Sequence, residues 1–327
     1  MRGFQIMENL KYTILGQKIS VQKEEMFLER FSLLKKSDVM FLYRGENKQK
    51  LLYKYNESEY NFPVIFSHKF FIIGDKGRNF LEGLTEEVRS SMSVYNIKNI
   101  SENFFREIFN MVTKLLSIDN SKISNFKSKN IQLSDYFLNQ KNVDDFCEKI
   151  NVLDEKERIS ARDYYLTILH SYSKSTYYPF SFLLSTTSNI KIAEEFAGAF
   201  ESEIIIYSWL PKESNSQYTL IHDYLNNIEK ILLSIDLPVY FSRFFNQQEI
   251  TLKGGLLPHY IIGYSYIKSN KKHFEINPWF LNEELNDNWV LEGLPINQDN
   301  FWTELKKTNI LGAFVVDELG EYGYDML

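Results

Sequence analysis

The sequence predicts an α+β fold with a mainly antiparallel sheet that is interrupted by a helical block. Short apolar runs of strand length, including EIIIYSWL, EITLKG and HYIIGYSYI, lie in the second half of the chain. Apolar residues at helical spacing instead fill the region from Asn99 to His170. The chain has no internal repeat and no long Pro-, Gly- or Ser-rich linker, so one domain with insertions is the simplest interpretation.

Composition sets limits on the class of protein. Of the 327 residues, 44% are apolar and 16% aromatic, which is enough to bury a sizeable core. The 43 acidic and 37 basic side chains argue against a broad non-specific grip on nucleic acid, which needs phosphate neutralisation. The start lacks a secretory signal, and no run approaches the about 20 apolar residues of a membrane-spanning helix. We therefore expect a cytoplasmic protein.

The first predicted elements are a helix and a strand. In KEEMFLERFSLLKK, from Lys23 to Lys36, apolar side chains recur near one face of a helix, and a β-rich stretch, VMFLYRG, begins at Val39. We expect a helical lead over residues 1–36, followed by a single domain over residues 37–327.

The helical block is predicted at about residues 98–172. Asn99 and Glu102 resemble a capping box at its start. The first helix has one apolar face, made of Phe104, Phe105, Ile108, Phe109, Val112, Leu115 and Leu116. Further helical patterns follow, at Leu133 to Asn139, Val143 to Ile150 and Glu155 to His170.

After the block, FSFLLSTTSN predicts a strand that runs into Ser188 or Asn189 as the N-cap of a helix. That helix, IKIAEEFAGAF, has an apolar face on which we place Phe196 and Ala197 in the core. The remaining pattern predicts the strand EIIIYSWLP, an amphipathic helix in YTLIHDYLNNIEKILLSID, and the strands LPVYF, EITLKG and HYIIGYSYI.

Three short stretches carry candidate functional residues: FLYRGE with Arg44, FLLSTTSN with Ser185, and FNQQEITL with Glu249. Taken singly, each has an ordinary interpretation: an ion-paired strand arginine, a cap and turn, and a solvated strand-edge carboxylate. In this order, however, they resemble the Arg-Ser-Glu class of mono-ADP-ribosyltransferases. The segments YRGE, SFLLSTTSNIKIAEEFA and RFFNQQEITLKGG also resemble the FRG domain, a bacterial module, over roughly Val39 to Tyr264 without the helical block.

The resemblance implies an ADP-ribosyltransferase-like split antiparallel sheet that binds NAD, the substrate, in a cleft. Breaking the nicotinamide–ribose bond creates oxocarbenium-like charge, and Glu249 would be the carboxylate that stabilises it. Ser185 would hold this glutamate in place, and the planar fork of Arg44 would bind the diphosphate. Gly45 would let its main chain approach the nicotinamide carboxamide.

Three further residues are candidates for NAD binding. Thr186 and Thr187 share the strand-end motif with Ser185. Tyr178 precedes the same strand and would stack on nicotinamide or adenine, although aromatic residues in such places more often pack. The five histidines are scattered singly and the lone cysteine, Cys147, lies in the helical block, so we predict neither a metal site nor a cysteine nucleophile.

The acceptor prediction rests on Gln247, two residues before Glu249. In the resembled family, arginine-modifying members carry Glu at this position, whereas Rho-modifying and guanine-modifying members carry Gln. A neutral amide can pair with an amide-like acceptor but forms no ion pair with guanidinium. The preceding Arg243, Phe244 and Phe245 form a candidate acceptor-binding turn that would stack an unpaired base. A nucleobase of RNA or DNA therefore ranks slightly ahead of a protein Asn or Gln side chain.

The FRG resemblance also implies a setting, namely a bacterial toxin, in a toxin–antitoxin pair or in antiviral defence against phage. An antitoxin or chaperone would then be a partner. Two alternatives stay open: a catalytically degenerate FRG-type binding module, and an NAD glycohydrolase that transfers the ribosyl group to water.

Overall fold

The computed structural model describes residues 10–73, 100–172, 183–198, 200–211, 219–220, 222–240, 249–253, 256, 260–281, 314–316 and 322–324. It confirms the predicted α+β class, because helices and a large sheet are both present. The single domain expected over residues 37–327 is divided into two compact units. One unit contains the described residues within 1–84, 184–219 and 247–327, and the other those within 85–183 and 220–246.

The first unit is built on a nine-stranded sheet with the order β2-β1-β9-β8-β5-β3-β4-β7-β6. Its strands are β1 Lys11–Ile14, β2 Gln17–Lys18, β3 Val39–Asn47, β4 Leu183–Thr187, β5 Glu203–Pro211, β6 Thr219–Leu220, β7 Glu249–Lys253, β8 Ile261–Lys268 and β9 Lys271–Ile276. A separate hairpin joins β10 Phe314–Val316 to β11 Tyr322–Tyr324. The sheet is mixed, since β1 runs parallel to β9 whereas β3–β5, β5–β8 and β8–β9 are antiparallel.

The described residues form ten α-helices. They are α1 Val21–Lys36, α2 Lys48–Lys54, α3 Val64–Ile73, α4 Glu102–Leu116, α5 Ser121–Lys129, α6 Ile131–Leu138, α7 Asn142–Asn151, α8 Glu155–Tyr172, α9 Ile190–Ala197 and α10 His222–Ser234. The helix predicted in Lys23 to Lys36 is α1, but the helical lead expected over residues 1–36 also contains β1 and β2, which precede α1, and β1 pairs with β9.

Helices cover both faces of the sheet in the first unit. Phe27 of α1 packs on Phe274, with ring centroids 5.8 Å apart, and Phe70 of α3 packs on Tyr264 at the same separation. The register places Tyr264 opposite Glu275, so Tyr264 and Phe274 point to opposite faces. Alternation along β8 and β9 therefore supplies an apolar ring to each layer of helices.

The two neighbours of β3 hold it very differently. Nine residue pairs, from Val39 opposite Pro211 to Asn47 opposite Glu203, join β3 to β5. On the other side, Tyr43 opposite Thr187 is the pair that joins β3 to β4. The described strands of this sheet share one hydrogen-bonded order, in which the β3–β4 joint is narrow, and the split sheet of the resembled fold stays a prediction.

The second unit consists of α4 to α8 together with α10. All seven residues of the apolar face predicted for α4 are buried. Aromatic rings fill the same core, where the ring centroid of Phe137 lies 4.9 Å from that of Phe109 and 5.4 Å from that of Tyr165. The capping-box prediction was wrong, because α4 begins at Glu102 and its N-cap is Ser101, whose hydroxyl accepts a hydrogen bond from Phe104 N.

The strand predicted in LPVYF is not formed by its described residues, 237–240, which have no regular secondary structure. Pro238 has no N–H to donate, and its carbonyl accepts a hydrogen bond from the Tyr165 hydroxyl. The main-chain N–H of Tyr240 donates to the Tyr164 hydroxyl at 2.9 Å. These side chains of α8 take the bonds that a neighbouring strand would have made.

Candidate active site

Three neighbouring strands carry Arg44, Ser185 and Glu249, on β3, β4 and β7 respectively. Nη1 of Arg44 donates to the main-chain oxygen of Ser185 at 2.6 Å. The hydroxyl of Thr186 donates to the main-chain oxygen of Ile250 at 2.5 Å, directly beside Glu249. Side chains of the first two motifs thus connect β3 to β4 and β4 to β7.

Arg44 also belongs to a charge cluster with Glu46 and Lys54. Its Nη2 donates to Oε1 of Glu46, and the same oxygen accepts from Nζ of Lys54 at 2.9 Å. The side chains of Arg44, Glu46 and Lys54 are 16%, 11% and 40% exposed. Burial alone would raise the pKa of the Glu46 carboxyl, but the two cations outweigh it and hold that pKa below its usual value. Glu46 therefore keeps its charge.

Glu249 is the first residue of β7 and is half-buried. The hydroxyl of Thr251, two residues further on the same face of the strand, donates to its Oε1 at 3.1 Å. Ile250 and Leu252 are buried and anchor the strand from its other face. Because β7 lies between β4 and β6, Glu249 is on an inner strand of the sheet. The ordinary interpretation of Glu249 was a solvated carboxylate at a strand edge, which this position does not match.

Gly45 lies against α9, on the face of β3 opposite Arg44 and Glu46. A Cβ atom at this position would stand 1.7 Å from the main-chain oxygen of Ala193, so only glycine fits. The start of α9 is set by Asn189, whose side chain accepts from Lys191 N at 3.1 Å, which confirms one of the two predicted caps. Packing of α9 on β3 is by itself a sufficient reason for glycine at this position.

Thr186 and Thr187 are buried and use their hydroxyls on the main chain. The Thr187 hydroxyl accepts from Asn189 N at 3.1 Å and so shapes the turn into α9. Of the two core residues predicted on α9, Ala197 is buried, but the prediction for Phe196 was wrong, since it is 59% exposed. The face that α9 buries is therefore narrower than the apolar face predicted from its sequence.

Tyr178, Arg243, Phe244, Phe245 and Gln247 lie outside the described residues. Their assigned roles, stacking on NAD for the tyrosine and acceptor binding for the other four, stay predictions.

Three further observations concern the part of the chain that the structure describes. No group of three or more His, Cys, Asp or Glu side chains there could hold a metal ion. Cys147 is buried, and burial raises the pKa of its thiol to about 11, which suits a packing role. None of the described helices combines the length and the apolar character needed to cross a membrane.

The sequence motifs did not single out Glu46, Lys54 and Thr251, which contact the candidate residues or one another. Glu46 and Thr251 each follow a candidate residue by two positions in a strand, a spacing that could have identified them. The placement of Lys54 depends on α2 starting directly after β3, where Asn47 caps the helix by accepting from Gln49 N and Lys50 N. No family model, curated protein or solved structure matches this chain.

Proposed function

We propose that this protein is a mono-ADP-ribosyltransferase that takes NAD as its substrate and transfers ADP-ribose to an amide-like nitrogen of a macromolecule. One observation carries the proposal. Arg44, Ser185 and Glu249, residues of three motifs far apart in the chain, lie on three neighbouring strands, and Arg44 binds the main chain of Ser185 across 141 residues of sequence. Chance matches to short motifs have no reason to converge in this way.

In the proposed reaction, the bond between ribose C1′ and the nicotinamide nitrogen breaks, and nicotinamide leaves with the electron pair. A new bond forms between C1′ and the acceptor nitrogen, which loses a proton. Glu249 supports the positive charge that exists only in the transition state. Because Thr251 and the buried side chains of β7 hold this carboxylate, little reorganisation is needed during the reaction.

The finer assignments rest on the resemblance to the Arg-Ser-Glu class and the FRG domain. They include a cleft in a split sheet, acceptor choice by Gln247, and the preference for a nucleobase over a protein side chain. The same resemblance supports a role as a bacterial toxin or phage-defence effector with an antitoxin or chaperone partner.

The first test is Glu249→Gln, which keeps the shape of the side chain and removes its charge. We expect nicotinamide release from NAD to fall about 100-fold, because one preorganised charge in a transition state contributes on this scale. The matched control is Glu195→Gln, an exposed residue of α9 that should leave release unchanged. Equal rates for the parent and Glu249→Gln, both correctly folded by circular dichroism, would overturn the proposal.

The acceptor is tested with NAD labelled in its adenosine part, incubated with total cell extract. If the macromolecular label survives protease but not nuclease, the acceptor is nucleic acid. If it survives nuclease but not protease, the acceptor is protein. Nicotinamide release without macromolecular label indicates a glycohydrolase, and no release at all indicates a binding module.

A further inference from the structure

Three lysines lie together at one end of the β8–β9 hairpin. Lys268 stands directly opposite Lys271 across the hairpin, and Lys271 lies two residues before His273 on the same face of β9. Lys11 of β1 is the parallel partner of His273. The register therefore places Lys11, Lys268 and Lys271, the lysine cluster, around one histidine.

The positive charge of the lysine cluster is not neutralised by salt bridges. All three lysines are exposed, and none forms a salt bridge with a residue that the structure describes. Glu275 attracts Lys268, but this carboxylate is buried and burial raises its pKa to about 7, so it is only partly ionised near neutral pH. A local positive surface thus exists on a chain whose formal net charge is −6.

The arrangement of the lysine cluster is unfavourable for the sheet itself. Like charges placed directly opposite on an antiparallel pair, as in Lys268 and Lys271, destabilise it. Burial, and after it the charges of all three lysines, lower the pKa of His273. Three ammonium groups therefore act on one place. A breach of a local stability rule is expected where function requires it, and a bound polyanion would relieve the repulsion.

We propose that the lysine cluster is a docking surface for the phosphate backbone of a single-stranded nucleic acid, which is the acceptor of the proposed reaction. The role of this partner as acceptor rests on the proposed function. Binding by itself rests on the charges and the spacing of the lysines.

The spacing favours a chain of phosphates over a single anion. From Lys11 to Lys268 the main chain is displaced by two strand spacings and by two residues along the strands, which together make about 12 Å. This distance exceeds the size of one phosphate group, whereas a nucleic-acid strand carries one negative charge per nucleotide. Between the lysines stands the half-buried imidazole ring of His273, stacked on Tyr266 with centroids 5.4 Å apart. An aromatic ring among cations is typical of surfaces that bind single strands.

The lysine cluster also shares a face of the sheet with the candidate active site. His273 lies opposite Tyr266 on β8, and Tyr266 lies opposite Ile204 on β5. Ile204 in turn lies opposite Glu46 on β3, two residues after Arg44. Directly paired residues point to the same face, so three strand spacings, about 14 Å, separate the histidine from this part of the site at main-chain level. A bound strand of a few nucleotides spans this distance.

The test compares two double variants that remove the same charge. Lys268→Gln with Lys271→Gln changes the cluster, and Lys23→Gln with Lys36→Gln changes exposed positions of α1, which packs on the other face of the sheet. Binding of a fluorescent single-stranded RNA of about 12 nucleotides is measured by anisotropy.

We expect the cluster variant to bind this RNA about tenfold more weakly at about 0.15 M salt, because each lost phosphate contact costs about three- to fourfold there. The slope of log K against log salt should fall by about 1.4. The α1 variant should change affinity by less than about twofold. Removing two opposed charges should leave thermal stability unchanged or higher. Should the cluster variant fold poorly, Lys11→Gln at the other end of the cluster is expected to weaken binding about threefold.

The outcomes separate this inference from the proposed function. Equal RNA affinity of the parent and the cluster variant overturns the docking surface, as does a parent that binds no RNA. Equally tight binding of poly-glutamate of matched charge also overturns it, since the surface would then suit acidic proteins. Nicotinamide release from NAD without acceptor should be the same in the parent and both variants. Lysine-dependent RNA binding by a parent that releases no nicotinamide means that the docking surface stands and the proposed reaction is wrong.

Discussion

The two sides of β3 show two ways of holding a strand. Towards β5, nine residue pairs form a regular ladder that continues through β8 and β9. Towards β4, one pair remains, and Arg44 and Thr186 supply hydrogen bonds from side chain to main chain that join β3, β4 and β7. The β3–β5 ladder is made of main-chain hydrogen bonds and needs no particular side chains. The joint of β3, β4 and β7 instead depends on the side chains of Arg44 and Thr186. The candidate active site lies in the joint, where side-chain identity matters most.

Each region also contains a buried carboxylate, and the two have opposite protonation behaviour. In the ladder region, Glu275 accepts hydrogen bonds from the neutral Thr13 hydroxyl at 2.7 Å and Gly16 N at 3.0 Å, and burial raises its pKa to about 7. At the joint, Glu46 has cationic partners that hold its pKa below the usual value despite burial. The charge of the partners, not burial, decides which carboxylate stays ionised near neutral pH.

The largest effect should come from breaking the contact between β3 and α9. Gly45→Ala would place a methyl group into the Ala193 carbonyl, and because a helix backbone cannot yield locally, we expect the free energy of unfolding to fall by about 3 kcal/mol. Urea unfolding measures the loss. Tyr43→Phe on the same strand keeps the edge-on ring contact with Tyr207 and should cost less than about 1 kcal/mol. Similar losses in both would contradict the tight packing of α9.

A second prediction concerns Glu275 in the ladder region. Its folded-state pKa of about 7 exceeds the ordinary value of 4.5, so the folded protein binds a proton that the unfolded chain releases in this window. Its stabilising contribution is complete below about pH 4.5 and is lost as the pH rises through about 7, a change of about 3 kcal/mol at most.

Glu275→Gln keeps an acceptor for Thr13 and should flatten this part of the stability profile, measured by urea unfolding at several pH values. Glu25→Gln on the exposed side of α1 is the matched control and should leave the slope as in the parent. A slope unchanged by Glu275→Gln would mean that another group binds the proton.

The smallest predicted effect compares one side-chain bond at the joint with one in the ladder. Thr186→Val removes the hydroxyl that donates to Ile250 O at nearly constant side-chain volume, and it should lower the free energy of unfolding by about 1 kcal/mol. Ser208→Ala removes a hydrogen bond from the Ser208 hydroxyl to Leu42 O. Because these two residues are already paired in the β3–β5 ladder, the free energy of unfolding should fall by only about 0.5 kcal/mol. Equal or reversed losses in thermal unfolding would show that the joint depends no more on side chains than the ladder does.

Local patterns predicted much of the fold. The apolar face of α4, the strands β5, β7 and β8, and the Asn189 cap were all correct, because each depends on neighbours a few residues away. Errors occurred where distant residues intervened. Residues 237–240 have a strand-like sequence, but they form hydrogen bonds with Tyr164 and Tyr165 instead. Phe196 is exposed because it lies on the flank of the face of α9 that is buried.

The candidate site shows the same division. The sequence by itself determined which residue types were available for the proposed NAD chemistry, and their order along the chain, because short motifs are properties of the chain. Only the tertiary structure decided that Arg44 reaches the main chain of Ser185 and that Thr186 reaches the main chain of Ile250. These contacts arise from the order β3-β4-β7, which unites segments separated by long stretches of chain. Strand order depends on the packing of the whole sheet, and local sequence does not contain it.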